Sequence, residues 1–526
     1  MKRFEHFTIG EVLAVQARER PAQRALAFPY SGGELTYAEW WQQSRALARS
    51  LLELGVAPGE HVALLAENRI EWPVVQLAVA IAGAVLVPLN THYAREELGF
   101  ALSKSRSRVI FLSAQFRSHA YLEMVSALRP ELPDLREIVV LDVGHAGCLL
   151  YHDLVAGGGG VQTAIPESSS RDVASLQYTS GTTGFPKGAL LAHEGMLLDA
   201  RVTAERLGIT PDDRWTSIIP LFHCAGCIMN VLGCLQAGAC YVGVPFFDPE
   251  RMFEVIARER CTALSGVPTS FLAMLEHPRR SFYDLGSLRT GTCGGADVDG
   301  ALLRRCAQSF PIPWVTQVYG QTEASTLIAC PSFDDPARFD TAGPPIDGCE
   351  VRVTDPRTAQ ALPADTIGQI EVRGPIVMLG YYGCEDETVE TLDAEGWLKT
   401  GDLGRLTQQG HVAIEGGRLR DMIIRGGENI YPVEVENVIA RHPAVAQAAV
   451  FGIRDRHYGE TVAAAVALRN KVGAGELARF CTGRIAKFKI PVRWFRTETF
   501  PMTSSGKIRK GELREMADAD RLEVLE

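Results

Sequence analysis

Residues 178–188 read Tyr-Thr-Ser-Gly-Thr-Thr-Gly-Phe-Pro-Lys-Gly, and this stretch sets the interpretation of the whole chain. Gly181 and Gly184 allow a tight backbone turn that presents its N–H groups inward. Side chains supply further hydrogen-bond donors: Thr179, Ser180, Thr182, Thr183 and Lys187. Such a set of donors suits the phosphates of a nucleotide, although its composition is also typical of a flexible turn. A Walker loop would place the lysine directly after the second glycine, whereas Phe185 and Pro186 intervene here, so the stretch predicts a different phosphate loop.

Length, composition and charge narrow the class of protein. The chain has 526 residues, of which 46% are hydrophobic and 22% charged, which is ordinary for a globular protein with several cores. The net charge of −10 argues against a nucleic-acid partner and a broad anionic-membrane surface. Residues 1–10 show no apolar signal core, and the longest apolar run, Val74 to Val87, is short for a bilayer. We therefore expect a soluble protein without integral membrane association.

The cysteines favour a reducing compartment. The 12 cysteines are scattered along the chain, without the pattern of a small disulfide scaffold. Cys224 and Cys227 have the spacing of half a metal site, but no second Cys/His pair at zinc-like spacing follows them. We expect reduced thiols and a cytoplasmic location.

Apolar strand-like runs alternate with helical patterns through the first 400 or so residues. The clearest are strands at His61–Ala66, Gly83–Pro88, Arg108–Leu112 and Asp172–Tyr178, and helices at Glu71–Ala82 and from about Glu194. Alternation of this kind predicts an α/β fold with mostly parallel sheets covered by helices. It also places the phosphate loop between a strand and a helix, as an anion-binding loop requires.

A domain boundary is predicted near Gly416 to Asp421. Beyond it, a helix at Val433–Arg441 and strands at Val445–Phe451 and Glu460–Leu468 form an α+β pattern of domain size. We therefore divide the chain into residues 1–419 and residues 420–526.

Two glycine turns predict a surface for a nucleotide base. Thr292-Cys-Gly-Gly-Ala296 offers flat backbone at Gly294, Gly295 and Ala296, and Val318-Tyr-Gly-Gln-Thr-Glu323 offers the ring of Tyr319. Stacking of an adenine needs two faces and a close approach of backbone. Taken singly, each turn is an unremarkable loop.

Four more segments carry candidate site residues. Pro220-Leu-Phe-His223 follows an apolar strand, and Gly396-Trp-Leu-Lys-Thr-Gly-Asp402 places a carboxylate after a glycine turn. Residues 418–432 begin with Arg418 and contain Gly426 and Gly427, and residues 501–508 carry Lys507 beside a glycine. Taken singly, His223 is typical of a surface histidine, Asp402 of a β-turn aspartate and Lys507 of a solvated lysine.

In this order, from about residue 8 to residue 515, the segments resemble the adenylate-forming (AMP-binding) enzymes: acyl-CoA synthetases, peptide-synthetase adenylation domains and firefly-type luciferases. The resemblance is to the acyl-CoA synthetase, or fatty-acid–CoA ligase, branch. It implies a large N-terminal domain of parallel sheets with a β-barrel-like subdomain, and a small mobile C-terminal domain. It also implies an ATP-dependent acid–thiol ligase that forms an acyl-adenylate and then an acyl-CoA, releasing pyrophosphate and AMP.

The resemblance also assigns roles to residues. Four are implied to be catalytic: Lys507, His223, Thr322 and Glu323. Lys507 would bridge the substrate carboxylate and the α-phosphate, His223 would close the acyl pocket, and Thr322 would contact the α-phosphate. Glu323 and Thr182 would hold Mg²⁺, whose preference is for oxygen ligands. The remaining nucleotide and CoA contacts would be Gly320, Gln321, Asp402 and Arg418 for the nucleotide, and Gly426 and Gly427 for the thiol arm. The family's hinge residue is Asp or Lys, whereas this chain has Arg420.

The expected partners are a carboxylic acid, ATP and CoA, and a homodimer is left open. The segments expected to line the acyl pocket are mainly apolar, which favours a fatty, aromatic or alicyclic monocarboxylic acid. Three alternatives stay open at this point: loading of a carrier-protein phosphopantetheine, a non-catalytic acyl-nucleotide binding protein, and a luciferase-type oxygenase.

Overall fold

The computed structural model describes residues 4, 6–31, 33–160, 163–179, 186–296, 298–310, 312–425, 428–455, 458–482, 484–485, 487–502 and 508–526. They fall into two compact units. The larger unit comprises Met1–Glu350 and Val372–Leu398, and the smaller unit comprises Val351–Glu371 and Lys399–Glu526. The division at residues 419 and 420 remains a proposal, and each unit is described by itself.

The helices follow the predicted alternation. The α-helices are α1 (Ile9–Glu19), α2 (Tyr37–Glu53), α3 (Glu71–Ile81), α4 (Arg95–Ser105), α5 (Tyr121–Leu128), α6 (Tyr151–Gly158), α7 (His193–Arg206), α8 (Gly233–Ala237), α9 (Pro249–Glu259), α10 (Pro268–Glu276), α11 (Gly300–Ser309), α12 (Glu385–Thr391), α13 (Pro432–Ile439), α14 (Ala474–Cys481) and α15 (Lys510–Asp518). A π-helix spans Ala225–Leu232, and short 3₁₀ turns span Arg129–Glu131, Arg280–Phe282, Thr322–Ala324, Leu419–Asp421 and Lys487–Lys489.

The strands of the larger unit are β1 (Arg24–Phe28), β2 (Gly33–Thr36), β3 (His61–Leu65), β4 (Val85–Pro88), β5 (Val109–Leu112), β6 (Glu137–Val140), β7 (Leu149–Leu150), β8 (Val173–Thr179), β9 (Lys187–Ala192), β10 (Arg214–Ser217), β11 (Cys240–Val242), β12 (Ala263–Gly266), β13 (Thr290–Cys293) and β14 (Trp314–Gln317). The strands that follow in the chain are β15 (Glu350–Thr354), β16 (Gly368–Arg373), β17 (Leu398–Leu406), β18 (Val412–Arg418), β19 (Ile423–Arg425), β20 (Glu428–Ile430), β21 (Val445–Asp455), β22 (Gly459–Leu468), β23 (Arg493–Arg496) and β24 (Glu523–Val524).

Two seven-stranded sheets organise the larger unit. The first has the order β14-β13-β12-β10-β11-β1-β2 and the second the order β7-β6-β5-β3-β4-β8-β9. In each, neighbouring strands are parallel except for the last pair, β1 with β2 and β8 with β9. The predicted α/β fold with mostly parallel sheets is therefore confirmed.

Helix α9 shows how local sequence builds these layers. The side chain of Asp248 accepts a hydrogen bond from the Arg251 N–H at 3.0 Å, and Pro249 starts the helix with its φ already restricted. Met252, Phe253 and the apolar residues one turn later are fully buried against the first sheet. The 3.6-residue period thus converts into one buried face.

Helix α3 lies entirely in the interior, and all its residues except Glu71 and Gln76 are apolar. All its residues from Glu71 to Ile81 are buried, so the helix predicted at Glu71–Ala82 belongs to the core. Among the residues that the structure describes, the helices are too short or too polar to cross a membrane.

The smaller unit contains most of a four-stranded sheet, β15-β16-β17-β18, and a six-stranded sheet built on β19 to β24. Along β21 the side chains alternate: Val450 packs with α13 and α14, whereas Ala449 and Phe451 pack with α15. A period of two therefore places helices on both faces of the six-stranded sheet. This confirms the predicted α+β C-terminal region, and its mobility remains a prediction.

Four consecutive glycines, 157 to 160, are typical of a flexible break, but the first two are helical. Gly157 and Gly158 form the last turn of α6. A Cβ on Gly158 would lie 1.9 Å from the Ala46 carbonyl oxygen of α2, so glycine permits the two helices to touch. By contrast, a Cβ on Gly157 would meet nothing within 4 Å.

Candidate active site

The predicted phosphate loop connects two antiparallel strands. Thr179 ends β8 and pairs in register with Lys187, which begins β9. The residues between these two strands that we predicted to bind phosphate lie outside the described residues: Ser180, Gly181, Thr182, Thr183 and Gly184. The sequence analysis placed this loop directly before helix α7. It missed strand β9 (Lys187–Ala192), which lies between the loop and the helix.

Lys187 and Glu323 are brought together by Tyr381. The Lys187 Nζ lies 5.3 Å from the centroid of the Tyr381 ring, a cation–π distance. The Tyr381 hydroxyl donates a hydrogen bond to Glu323 Oε1 at 2.8 Å. The sequence interpretation missed Tyr381, although Gly380-Tyr-Tyr-Gly383 is a glycine-flanked aromatic pair that could have indicated it.

Main-chain hydrogen bonds hold this arrangement in place. The segment 378–382 runs beside β9, with Leu190 N–H donating to the Gly380 carbonyl at 2.9 Å and Tyr382 N–H donating to the Gly188 carbonyl at 2.8 Å. Its first residue, Met378, donates to the Glu323 carbonyl at 2.8 Å. The hairpin and the Glu323 turn are thus joined through one segment.

Thr322 and Glu323 lie on a turn that is closed by main-chain pairing. Tyr319 and Ala329 exchange N–H···O bonds of 3.1 and 3.0 Å at its base. A Cβ on Gly320 would lie 1.9 Å from the Thr326 carbonyl oxygen, so the turn closes only around glycine. Ser325 has φ of 59°, a left-handed conformation that costs a non-glycine residue energy, and its Oγ donates to the Ile376 carbonyl at 2.7 Å.

A buried carboxyl group accepts a hydrogen bond from the main chain that follows the same turn. Asp199 of α7 is fully buried, and its Oδ2 accepts a hydrogen bond from the Leu327 N–H at 2.6 Å. Burial raises the pKa of Asp199 well above its ordinary value. The sequence interpretation missed this residue, since nothing in a helical pattern distinguishes an inward aspartate from a solvated one.

The raised pKa predicts a pH-dependent effect of Asp199→Asn. The unfolded carboxyl group ionises above about pH 4, whereas the folded group keeps its proton to a higher pH. Folding therefore loses up to about 1.4 kcal/mol per pH unit in that window, a loss that asparagine does not suffer. The variant should gain stability relative to the parent between pH 5 and pH 8 in chemical unfolding. A constant difference between the two proteins over that range would contradict the prediction.

The histidine segment meets the Thr322 turn through a thiol. Cys224 Sγ lies 3.6 Å from His223 Nδ1 and 3.7 Å from Thr322 Oγ1. The same His223 nitrogen accepts a hydrogen bond from Ala225 N–H at 3.1 Å. Burial raises the pKa of Cys224 to about 11, so the thiol stays protonated and is a poor nucleophile. The structure thus brings His223 and Thr322 into contact with one cysteine, Cys224, to which the sequence analysis assigned no site role.

Directly after His223 the chain forms the π-helix Ala225–Leu232, a form that recurs at functional sites. Gln76 of α3 donates to the Cys227 carbonyl at 3.3 Å. On the sheet side, Ser265 Oγ accepts from Trp215 Nε1 at 2.9 Å and from Thr292 Oγ1 at 2.8 Å, and donates to the Asn230 amide oxygen at 3.0 Å. Buried polar groups on both sides therefore fix the position of this helix.

The predicted adenine surface lies at the carboxyl ends of two adjacent parallel strands. Gly294 follows β13 and Tyr319 follows β14. A Cβ on Gly294 would lie 2.8 Å from the Val318 carbonyl oxygen, and Gly295 has φ of 79°. Glycine at these positions allows the close approach that the sequence predicted, and the carboxyl edge of parallel strands is where α/β proteins bind ligands.

The remaining predicted residues belong to the smaller unit. Asp402 is buried, its N–H donates to Thr400 Oγ1 at 3.0 Å, and it stands opposite Arg418 in the β17–β18 register. Gly426, Gly427 and Lys507 lie outside the described residues. Within the described ranges, groups of three or more His, Cys, Asp or Glu side chains suited to a metal ion are absent.

Comparison with known proteins identifies the family. The family model of the AMP-binding enzymes matches residues 13–382, and that of the AMP-binding enzyme C-terminal domain matches residues 434–507. The chain therefore belongs to the AMP-binding enzyme family, as the sequence motifs predicted.

Individual relatives agree with the predicted class of enzyme. The putative acyl-CoA synthetase YngI of Bacillus subtilis (strain 168) is 36% identical over 97% of each chain. The mitochondrial medium-chain acyl-CoA ligase ACSF2 of Homo sapiens is 32% identical over 97% of this chain and 88% of that protein. The prediction of an acyl-CoA synthetase is thus confirmed at the level of class.

Solved structures agree as well. ATP-bound MatB from Rhodopseudomonas palustris has a TM-score of 0.88 at 28% identity, covering 98% of this chain and 100% of its own. The anthranilate CoA ligase AuaEII, in complex with anthranoyl-AMP, has a TM-score of 0.88 at 27% identity, covering 99% of each chain. The fold prediction is confirmed by these likenesses.

Proposed function

We propose that this protein joins an apolar monocarboxylic acid to coenzyme A in two steps, with an acyl-adenylate between them and with release of pyrophosphate and AMP. The observation that carries the proposal is the cluster formed by Lys187, Tyr381 and Glu323 at the base of the phosphate hairpin. It places a cation and a carboxylate on the same tyrosine, and a cation together with a carboxylate is the pairing that binds a metal–triphosphate complex.

In the first step, the carboxylate attacks the α-phosphorus of ATP and pyrophosphate leaves. Both reactants are anions, so the barrier is largely electrostatic and positional. Lys187 and the loop amides would neutralise the β- and γ-phosphates, and Thr322 and Lys507 would hold the α-phosphate and the substrate carboxylate. The Asp402 carboxylate would accept hydrogen bonds from the ribose hydroxyls, and Arg418 would donate hydrogen bonds to them.

Mg²⁺ fits the residues at this site. Glu323 presents a carboxylate, and Thr182 adds a hydroxyl from the phosphate loop, which together are the oxygen ligands that Mg²⁺ takes beside phosphates. When bound, the ion would offset the negative charge of the triphosphate.

In the second step, the CoA thiol attacks the acyl carbonyl and AMP leaves. Lys507 and the glycine pair 426–427 both belong to the C-terminal part of the chain. We propose that this part rotates between the steps, withdrawing the lysine and admitting the thiol arm past the glycines.

The acid is proposed to be apolar because of the segments that follow His223 and strand β12. The π-helix Ala225–Leu232 and the segment Val267–Phe271 carry no charged side chain. Met229, Leu232 and Phe271 are buried there. A second charge on the substrate would therefore lack a partner among these residues, and burying an unpaired charge is costly.

The deciding experiment is a panel of carboxylic acids scored by AMP release with and without CoA. We expect fatty, aromatic or alicyclic acids to release pyrophosphate alone, and AMP only when CoA is added. Thioester formation with a holo-carrier protein in place of CoA would favour the carrier-loading alternative. Failure of every acid to release pyrophosphate would favour a non-catalytic binding protein, and oxygen-dependent AMP release would favour an oxygenase.

Location and assembly remain predictions. The sequence predicts a cytoplasmic location and no nucleic-acid partner, and it leaves a homodimer open. The human relative named above is mitochondrial. Fractionation and light scattering test them.

A further inference from the structure

We propose that Tyr381 is a positioning residue that sets the metal-binding carboxylate and the phosphate-loop lysine for a shared metal–ATP ligand. This inference rests on the proposed function, because it assumes that Glu323 and Lys187 act on the same triphosphate. It concerns a residue that none of the sequence motifs singled out.

Tyr381 contacts both groups with different parts of one side chain. Its hydroxyl donates to Glu323 Oε1 at 2.8 Å, and its ring face lies 5.3 Å from Lys187 Nζ. The donated hydrogen bond restrains the rotation of the carboxylate and leaves its other acceptor sites, including Oε2, for a hard cation. The ring attracts the ammonium through its quadrupole without neutralising its charge.

The backbone of Tyr381 is itself held firmly. Tyr381 N–H donates to Thr388 Oγ1 at 2.9 Å, and Tyr381 forms an antiparallel bridge with Ala189 of β9. The side chain is buried at 9% exposure. A residue fixed on both sides in this way can transmit a defined position to Glu323, whereas a loosely held one could not.

The proposed role separates into two parts that substitution can test one at a time. Tyr381→Phe keeps the ring and the main-chain contacts and removes the hydroxyl. Tyr381→Leu removes the hydroxyl and the ring together. A neighbouring tyrosine gives a matched control, since Tyr382 packs edge-on against His61 rather than on the cluster.

We expect Tyr381→Phe to raise the Mg²⁺ concentration needed for half-maximal pyrophosphate release by about 10-fold or more, the usual effect of losing a partner of a metal ligand. At saturating Mg²⁺ its kcat should approach that of the parent, and its melting temperature without ATP should match the Tyr382→Phe control. Tyr381→Leu should in addition raise the KM for ATP, and excess Mg²⁺ should not correct that change.

Direct binding gives a readout that does not need turnover. ATP affinity, measured by calorimetry at stepped Mg²⁺ concentrations, should depend on Mg²⁺ more steeply in Tyr381→Phe than in the parent. In a Glu323→Gln background the same substitution should add nothing, because the hydroxyl would have no metal-binding carboxylate to hold. A Tyr381→Phe protein with the parent's Mg²⁺ dependence, or with a full additional loss in the Glu323→Gln background, overturns the proposal. Should the parent bind ATP but release no pyrophosphate with any acid, the proposed function fails while the binding series still decides the role of Tyr381.

Discussion

Lys507→Ala should lower acyl-adenylate formation by about 10²–10³-fold, the range seen when one charge-stabilising donor is removed, while most thioester formation from supplied acyl-adenylate survives. The reason is that only the first step brings a carboxylate and a triphosphate, both anions, into contact. The residues flanking the lysine segment, Met502 and Ile508, form an antiparallel bridge, and Arg509 N–H donates to the Pro501 carbonyl at 2.8 Å. The base of this segment is therefore fixed by main-chain bonds that the substitution leaves in place.

The two half-reactions are measured separately, by ATP–pyrophosphate exchange and by CoA acylation from synthetic acyl-adenylate. Lys471→Ala, an exposed lysine in the same unit, serves as the control for loss of one positive charge. An equal loss of both half-reactions in Lys507→Ala would remove the lysine from the role proposed for it.

A second large effect is expected from Gly320→Ala. The added Cβ would lie 1.9 Å from the Thr326 carbonyl oxygen and 2.5 Å from the Leu327 Cα, so the turn that carries Thr322 and Glu323 must open. We expect adenylation to fall by about 100-fold, since a displacement near 1 Å at reacting groups has that scale. Overpacking of this kind should also lower the free energy of unfolding by about 1–3 kcal/mol.

The matched control is Gly157→Ala, because that glycine lies in helix α6 with open space at its Cβ. There, alanine should leave adenylation unchanged and raise stability by up to about 1 kcal/mol, following helix propensity. Thermal unfolding and pyrophosphate exchange of both variants check the pair of expectations. Unchanged adenylation in a folded Gly320→Ala protein would show that the turn does not set the geometry of the site.

The sequence predicted the fold well because its signals are local. Apolar runs located β3, β4 and β5 to within two residues, and the α+β pattern of the C-terminal region located β21 and β22. Strand β21 extends to Asp455, beyond the predicted Phe451, because its antiparallel partner continues to pair with it. Such an extension depends on a neighbouring strand and is invisible in the strand's own residues.

The candidate site was predicted only in part, for a related physical reason. Motifs rich in glycine mark close backbone approaches, so the close approaches at Gly294 and Gly320 could be predicted from the sequence, whereas the phosphate loop remains a prediction. Tyr381 and Asp199 contact residues far away in the chain. The local sequence marks Tyr381 only as a glycine-flanked aromatic residue, and it does not mark Asp199 at all. Cys224 was visible as half of a metal motif, but its contact with Thr322 arises only from folding.

The π-helical conformation of Ala225–Leu232 has a consequence for how the substrate preference proposed here could change in evolution. A helix bonded from i to i+5 accommodates about one more residue per turn than an α-helix, so loss of a single residue would let the segment rewind as α. Rewinding would change which of the side chains from Ala225 to Leu232 share a face, because an α-helix turns about 100° per residue and the wider helix turns less. The acid-binding wall that we propose for this segment would then present a different set of side chains. Diversification of substrate preference among such ligases is therefore open to insertions and deletions here, as well as to the exchange of individual amino acids.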